Sequence, residues 1–202
     1  MAEVNFLQYF TGEFRHTWRM KTTLLDFRFL AFTVGALFLA ASLPAAETGK
    51  LDEQLEPFRP FIGKTWRGEF KNSKPEKPTI DVARWERALN GKAVRVVHSI
   101  NDGYYGGESL IRWDQEKNQI TYHYFSTGGF YNTGVMTFAG NTLTAVEKVF
   151  GNTNGVTEVR STYELRPDGT LLNRSQYLKD GQPSGSREVL YKEDPKAEVK
   201  FK

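Results

Sequence analysis

Three histidines are the chain's only imidazoles, His16, His98 and His123, and there is no cysteine. His16 lies in the N-terminal stretch, which leaves His98 and His123 as candidate metal ligands or general acid/base groups in the body of the protein. No HExxH or comparably tight ligand spacing surrounds them, so no metal and no other cofactor is expected. Without cysteine there is no thiolate nucleophile, no thiolate metal site and no disulfide. No G-x-S-x-G elbow presents a serine. The glycine-rich runs "GYYGG" (103–107) and "STGGFYNTG" (126–134) lack the lysine and following helix of a phosphate-binding loop, and read as hairpin ends.

The other residues with chemical potential are aromatic or basic. Tyr104, Tyr105, Tyr122, Tyr124, Phe125, Phe130 and Tyr131 fall at or near turns. Rings so placed can cover an apolar ligand while a phenol orients it; they also satisfy ordinary strand propensity and cross-strand packing. Arg160 shares an alternating row with Glu158, and Arg84 with Glu86. Facing solvent, such pairs carry little energy. Facing inward, an arginine could grip a ligand carboxylate. The candidate ligand-binding set is His98, Tyr122, His123, Tyr124, Phe130, Tyr131, Arg160 and Arg174.

The elements that must position these residues are strands. Beyond Gly63 the helical period stops, and alternating segments rich in Val, Thr, Tyr, Phe and Trp are expected as strands at 65–70, 79–89, 93–100, 108–113, 119–126, 131–138, 142–149, 156–165, 170–178 and 187–191. Between them stand "NG" at 90–91, "NDG" at 101–103, "AGN" at 139–141, "PDG" at 167–169 and "KDG" at 179–181. Asn, Asp and Gly tolerate the positive φ of hairpin turns, so each marks an antiparallel reversal. About ten consecutive strands without a crossover helix predict an all-β, single antiparallel up-and-down barrel, since closure removes both edges. Its interior would hold side chains and one small ligand. In "QITYHYFS", Ile120, Tyr122 and Tyr124 oppose Thr121, His123 and Phe125; in several strands both rows mix polar and apolar residues, and the pattern does not say which row lines the interior.

Ahead of the barrel, Leu51, Leu55 and Phe58 share a face at helical spacing and Pro57 and Pro60 limit its length, predicting a short N-terminal helical turn in a lead-in over 47–62. It either plugs an opening of the barrel or packs as ordinary core. Residues 29–43, "FLAFTVGALFLAASL", follow Lys21 and Arg28 and precede "PAAETGK", the pattern of a secretory signal peptide over 20–46. The protein is then periplasmic or secreted, with no stable membrane span after cleavage; an uncleaved anchor is the alternative. Met20-Lys21 is the more natural start of such a peptide, so residues 1–19 are expected to lie upstream of the true start. The barrel is expected over 63–192 and a flexible tail over 193–202. Net charge is only +3, with both signs interspersed, which does not suit a nucleic-acid partner.

The stretch "PFIGKTWRGEF" (60–70) carries a resemblance. A glycine shortly before a tryptophan on the first strand is similar to the opening of calycin barrels, the lipocalins and fatty-acid-binding proteins, although two residues separate Gly63 from Trp66 where lipocalins have one. With "WERALNGKAVRVVHSIN" and "GGESLIRWD", the chain more closely resembles a family of bacterial secreted domains of unknown function with a calycin-like barrel. The resemblance implies that Gly63, Trp66 and Arg187 close the barrel, with Arg187 or Arg174 lying over the Trp66 ring. "TWRGEF" also resembles nitrobindin, a haem-binding relative whose axial histidine is near its C-terminus; no histidine follows His123 here. The resulting expectation is an exported barrel that binds a small, largely apolar or amphipathic ligand. The alternatives are an isomerase, cyclase or hydrolase using His98 or His123, and an envelope protein-interaction module.

Overall fold

The computed structural model describes residues 49–202 except 153. Ten antiparallel strands follow one another: β1 (Thr65–Phe70), β2 (Ile80–Ala88), β3 (Ala93–Ile100), β4 (Tyr105–Asp114), β5 (Gln119–Ser126), β6 (Tyr131–Ala139), β7 (Thr142–Phe150), β8 (Glu158–Leu165), β9 (Leu171–Lys179) and β10 (Gln182–Glu193). Each pairs with its sequence neighbours, and β1 also pairs with β10, closing the expected up-and-down barrel. The closing register sets Trp66 opposite Glu193 and Phe70 opposite Val189. Positive φ at Asn90, Asn101, Asp102 and Asp180 falls within the sequence signals for reversal. The leader and the upstream stretch lie outside the described residues.

Two strands run several residues longer than the sequence suggests. β4 begins at Tyr105 and takes in Gly106 and Gly107, because the wall leaves no room for a side chain there: a Cβ at Gly106 would stand 2.5 Å from the His98 carbonyl oxygen. β10 begins at Gln182, and its irregular "QPSGS" start is accommodated by a register shift between Pro183 and Gly185.

The lead-in is a 3-10 helix, Glu53–Phe61, with Leu55, Phe58 and Phe61 buried. It seals one end of the barrel. Phe58 meets Phe138 edge-on at 4.9 Å and Phe61 lies 5.1 Å from Trp85. Backbone bonds hold the seal at both ends, from Asp52 N–H to the Gly91 carbonyl (2.9 Å) and from Gly63 N–H to the Trp85 carbonyl (2.9 Å). Gly63 has φ 75°, which lets the chain leave the helix and turn directly into β1. At the other terminus, Lys200 N–H donates to Ser99 Oγ (3.0 Å) and Lys200 Nζ lies 3.0 Å from Asp102, so the expected tail segment makes contacts with β3 and the turn after it.

Candidate functional site

Above the seal the barrel is hollow. A cavity of about 520 Å³ runs through its interior, within the ~300–1,000 Å³ range of small-molecule sites. The floor is apolar: Trp66, Trp85, Ile111, Met136, Ala145 and Leu171. Phe70, Ile100, Phe130 and Val149 also line it. The inward rows are those of Asp81-Ala83-Trp85 on β2, Val96-His98-Ile100 on β3 and Tyr122-Tyr124 on β5.

The wall made by β2 to β5 and β10 carries a hydrogen-bonded chain. Asp81 is buried; its Oδ2 accepts from the Tyr191 hydroxyl at 2.6 Å and its Oδ1 lies 3.1 Å from His98 Nδ1. His98 Nε2 is 3.0 Å from the Tyr124 hydroxyl, which is 2.8 Å from that of Tyr105. Burial alone would raise the Asp81 pKa; the partners His98 and Tyr191 and the nearby Arg187 outweigh it, and the carboxyl is held below its ordinary value. Burial pushes the Tyr105 and Tyr124 phenols up, so both keep their protons at neutral pH.

Across the cavity, Asn132 of β6 and Glu147 of β7 form a second polar group. Asn132 Nδ2 donates to Glu147 Oε2 at 2.9 Å, and Tyr122 hydrogen-bonds the same carboxyl. Desolvation raises the Glu147 pKa despite these two donors and the field of Arg187. Tyr163 is driven up to about 12 by burial.

Arg187 stands between these groups. Its guanidinium lies 5.4 Å from the centroid of the Phe70 ring. Nη2 reaches Asn173 Oδ1 at a long 3.4 Å, and Nε has no hydrogen-bond partner among the described residues. No carboxylate forms an ion pair with it among the described residues. Burial works against the charge, but the surrounding Tyr177, Tyr191 and Tyr163 oxygens and Asp81 raise its pKa, so Arg187 stays cationic. A cation inside a barrel, with cavity in front of it and no ion pair of its own among the described residues, is an anion-binding arrangement.

Of the residues singled out from sequence, His98, Tyr122, Tyr124 and Phe130 line the cavity. His123, Tyr131, Arg160 and Arg174 do not; all four are exposed on the outer surface. The alternation of the strands places them there. His123 sits between inward Tyr122 and Tyr124, Tyr131 precedes inward Asn132, Arg160 lies between buried Val159 and Ser161, and Arg174 between buried Asn173 and Ser175. Arg160 pairs with Glu158 at 2.6 Å and Arg174 with Glu188 at 2.9 Å. Trp66 is buried at the sealed end, but the cation over its ring is Lys64, at 5.5 Å, and neither Arg187 nor Arg174. Arg187 belongs to the cavity because β10 carries it inward toward Phe70 instead.

Sequence reasoning missed Asp81, Asn132, Glu147 and Tyr191 as site residues, and it named the Tyr105 ring without placing it in the candidate set. Asp81 sharing a row with Ala83 and Trp85 was the available signal, the one acid in that row. Its partner Tyr191 is on the last strand, and no local pattern links the two. Among the described residues, no group of three or more His, Asp or Glu is placed to hold a metal ion.

No family model matches the chain, and no curated protein matches it. Among solved structures, the chain is similar to the crystal structure of Rv2717c from M. tuberculosis, with a TM-score of 0.54 and 14% identity, over 72% of this chain and 99% of that one. At that identity the likeness is one of fold, and it supports the barrel architecture.

Proposed function

We propose that this chain is an exported β-barrel, periplasmic or secreted, that binds a small, largely apolar anion in its interior. The carrying observation is Arg187, a cation inside the barrel that has a partnerless Nε and no ion pair among the described residues and faces a cavity with an apolar floor. A ligand carboxylate or similar anion would supply the missing acceptors, while its apolar body would lie against Trp66, Trp85 and Met136. The calycin-like opening "FIGKTWRGEF" agrees with this reading, and the export half rests on the sequence pattern at 29–43. The test is displacement of anilinonaphthalene sulfonate, an apolar anion, by medium-chain fatty acids, using the full chain and its Arg187→Met variant. Saturable binding that the variant loses supports the proposal. Binding indifferent to the substitution would sink it.

A second reading is an enzyme on the same scaffold. His98, hydrogen-bonded between a carboxylate and a phenol in the cavity wall, has the surroundings of a general acid/base. His123 lacks them, being exposed.

A further inference from the structure

The outer surface of the barrel differs between its two ends. The exposed aromatic side chains among the described residues are Tyr104, Phe125, Tyr131, Phe150 and Phe201. All of them stand at the open end, away from the 3-10 seal. Tyr104 is in the turn between β3 and β4, Phe125 is next to last in β5, Tyr131 is first in β6 and Phe150 is last in β7. The tail brings Phe201 to the same rim, its ring 3.0 Å from where a Cβ at Gly106 would stand. Phe125 pairs across the strands with Tyr131, and Tyr131 with Phe150. Their rings stack at 6.4 and 5.0 Å, with interplanar angles of 27° and 15°. Cross-strand packing accounts for the stacking. It does not account for exposure confined to one end.

Lysines stand among these rings. Lys148 is exposed on the same outward row of β7 as Phe150, Lys74 and Lys77 lie on the connection from β1 to β2, and Lys179 ends β9. None of these lysines forms an ion pair among the described residues, unlike Lys71 and Lys200. The acids of the same turns are Glu76, Asp102 and Asp180, and Asp102 is already held by Lys200.

We propose that the open end docks on an anionic lipid bilayer, its rings entering the boundary between headgroups and acyl chains while its lysines meet lipid phosphates. Aromatic rings beside ammonium groups match that boundary, where an apolar layer adjoins a negatively charged one. A second copy of the chain fits less well, because a two-fold contact through this rim would bring like-charged lysines together. The cavity reaches the same end, where Phe130, Asn152 and Val156 line it. Docking therefore sets the opening against the membrane, and an apolar ligand would pass between bilayer and barrel without crossing water. That passage rests on the proposed function; the docking does not.

The absence of native cysteine allows a single fluorophore to be placed in the full chain. Tyr104→Cys puts a nitrobenzoxadiazole label at the open end, and Glu116→Cys puts it in the turn between β4 and β5, at the sealed end. The vesicles are of equal parts phosphatidylcholine and phosphatidylglycerol, and no ligand is added. The Tyr104→Cys label should brighten and be quenched by nitroxide-bearing lipid; the Glu116→Cys label should do neither. Insertion of the apolar stretch 29–43 on its own would not single out the open end. Replacing Lys74, Lys77 and Lys148 together by glutamine should raise the lipid concentration needed for half the signal by about tenfold or more. Responses from both labels or from neither, or an equal response to phosphatidylcholine alone, overturn the docking. A signal that grows with protein concentration in the absence of vesicles places a second copy on this rim and overturns it too. Failure of apolar anions to bind in the displacement test leaves this result untouched, since docking is read without ligand.

Discussion

Gly134 of β6 stands directly opposite Tyr122 of β5, and the phenol ring occupies the space a side chain at residue 134 would need: a Cβ there would lie 2.7 Å from the ring. The same device seats Tyr191 over Gly68 and Tyr124 over Gly107. Three tyrosines of the cavity wall thus lie flat because a neighbouring strand offers no side chain, which keeps the interior open and aims their hydroxyls along the wall. A Cβ at Gly134 would also stand 2.6 Å from the Val146 carbonyl oxygen, which belongs to the backbone and cannot swing aside. Gly134→Val should therefore destabilise the protein by about 1–3 kcal/mol, the usual cost of overpacking. Urea unfolding measures it, and an unchanged midpoint would contradict the account.

The seal should be needed for stability as well as for the cavity's shape. Phe58 is fully buried between Trp85 and Phe138. Phe58→Ala should cost about 3–5 kcal/mol, and tryptophan emission should shift to the red as water reaches Trp85. A small loss with unshifted emission would show that the helix is merely laid against the barrel.

Arg187 should be a liability for folding. Its charge is desolvated and its hydrogen bonds are few, so Arg187→Met should leave the unliganded protein equally stable or more so. The same substitution should weaken binding of apolar anions by about tenfold or more. Thermal melts with and without ligand read both effects, and marked destabilisation of the unliganded variant would show that Arg187 is structural.

The two cavity carboxyls should give opposite pH dependences. Glu147 has its folded pKa raised above the ordinary value near 4.5, mainly by burial. The folded state holds that proton more tightly than the unfolded one, so its contribution to stability is full below the ordinary value and is lost as pH rises through the folded one. Glu147→Gln should remove that decline and be the more stable protein on the alkaline side. Asp81 has its folded pKa lowered below the ordinary 3.8, its partners outweighing burial. Its contribution is present above that value and lost as pH falls through the folded one, so Asp81→Asn should flatten the acid limb. Unfolding free energies across the acid-to-neutral range distinguish the two, and identical slopes in wild type and variants would refute both assignments.

The sequence alone determined the ten strands, their antiparallel succession and the helical turn ahead of them. These are local matters: side-chain alternation and the positive-φ tolerance of "NG", "NDG" and "KDG" are written within a few residues of where they act. It also marked His98, Tyr122, Tyr124 and Phe130, whose chemistry is evident from residue type. It did not decide which way each row faces. A strand's two rows differ by a half-turn, and with mixed polarity in both, Arg160 and Arg174 looked eligible for the interior while Arg187 was expected only to close the barrel. Only closure, with β10 pairing to β1, fixed that choice, because joining the ends assigns an inside to every strand at once. The same closure brings Tyr191 of β10 to Asp81 of β2, 110 residues apart in sequence, and so completes a hydrogen-bonded wall whose separate members look like ordinary strand residues.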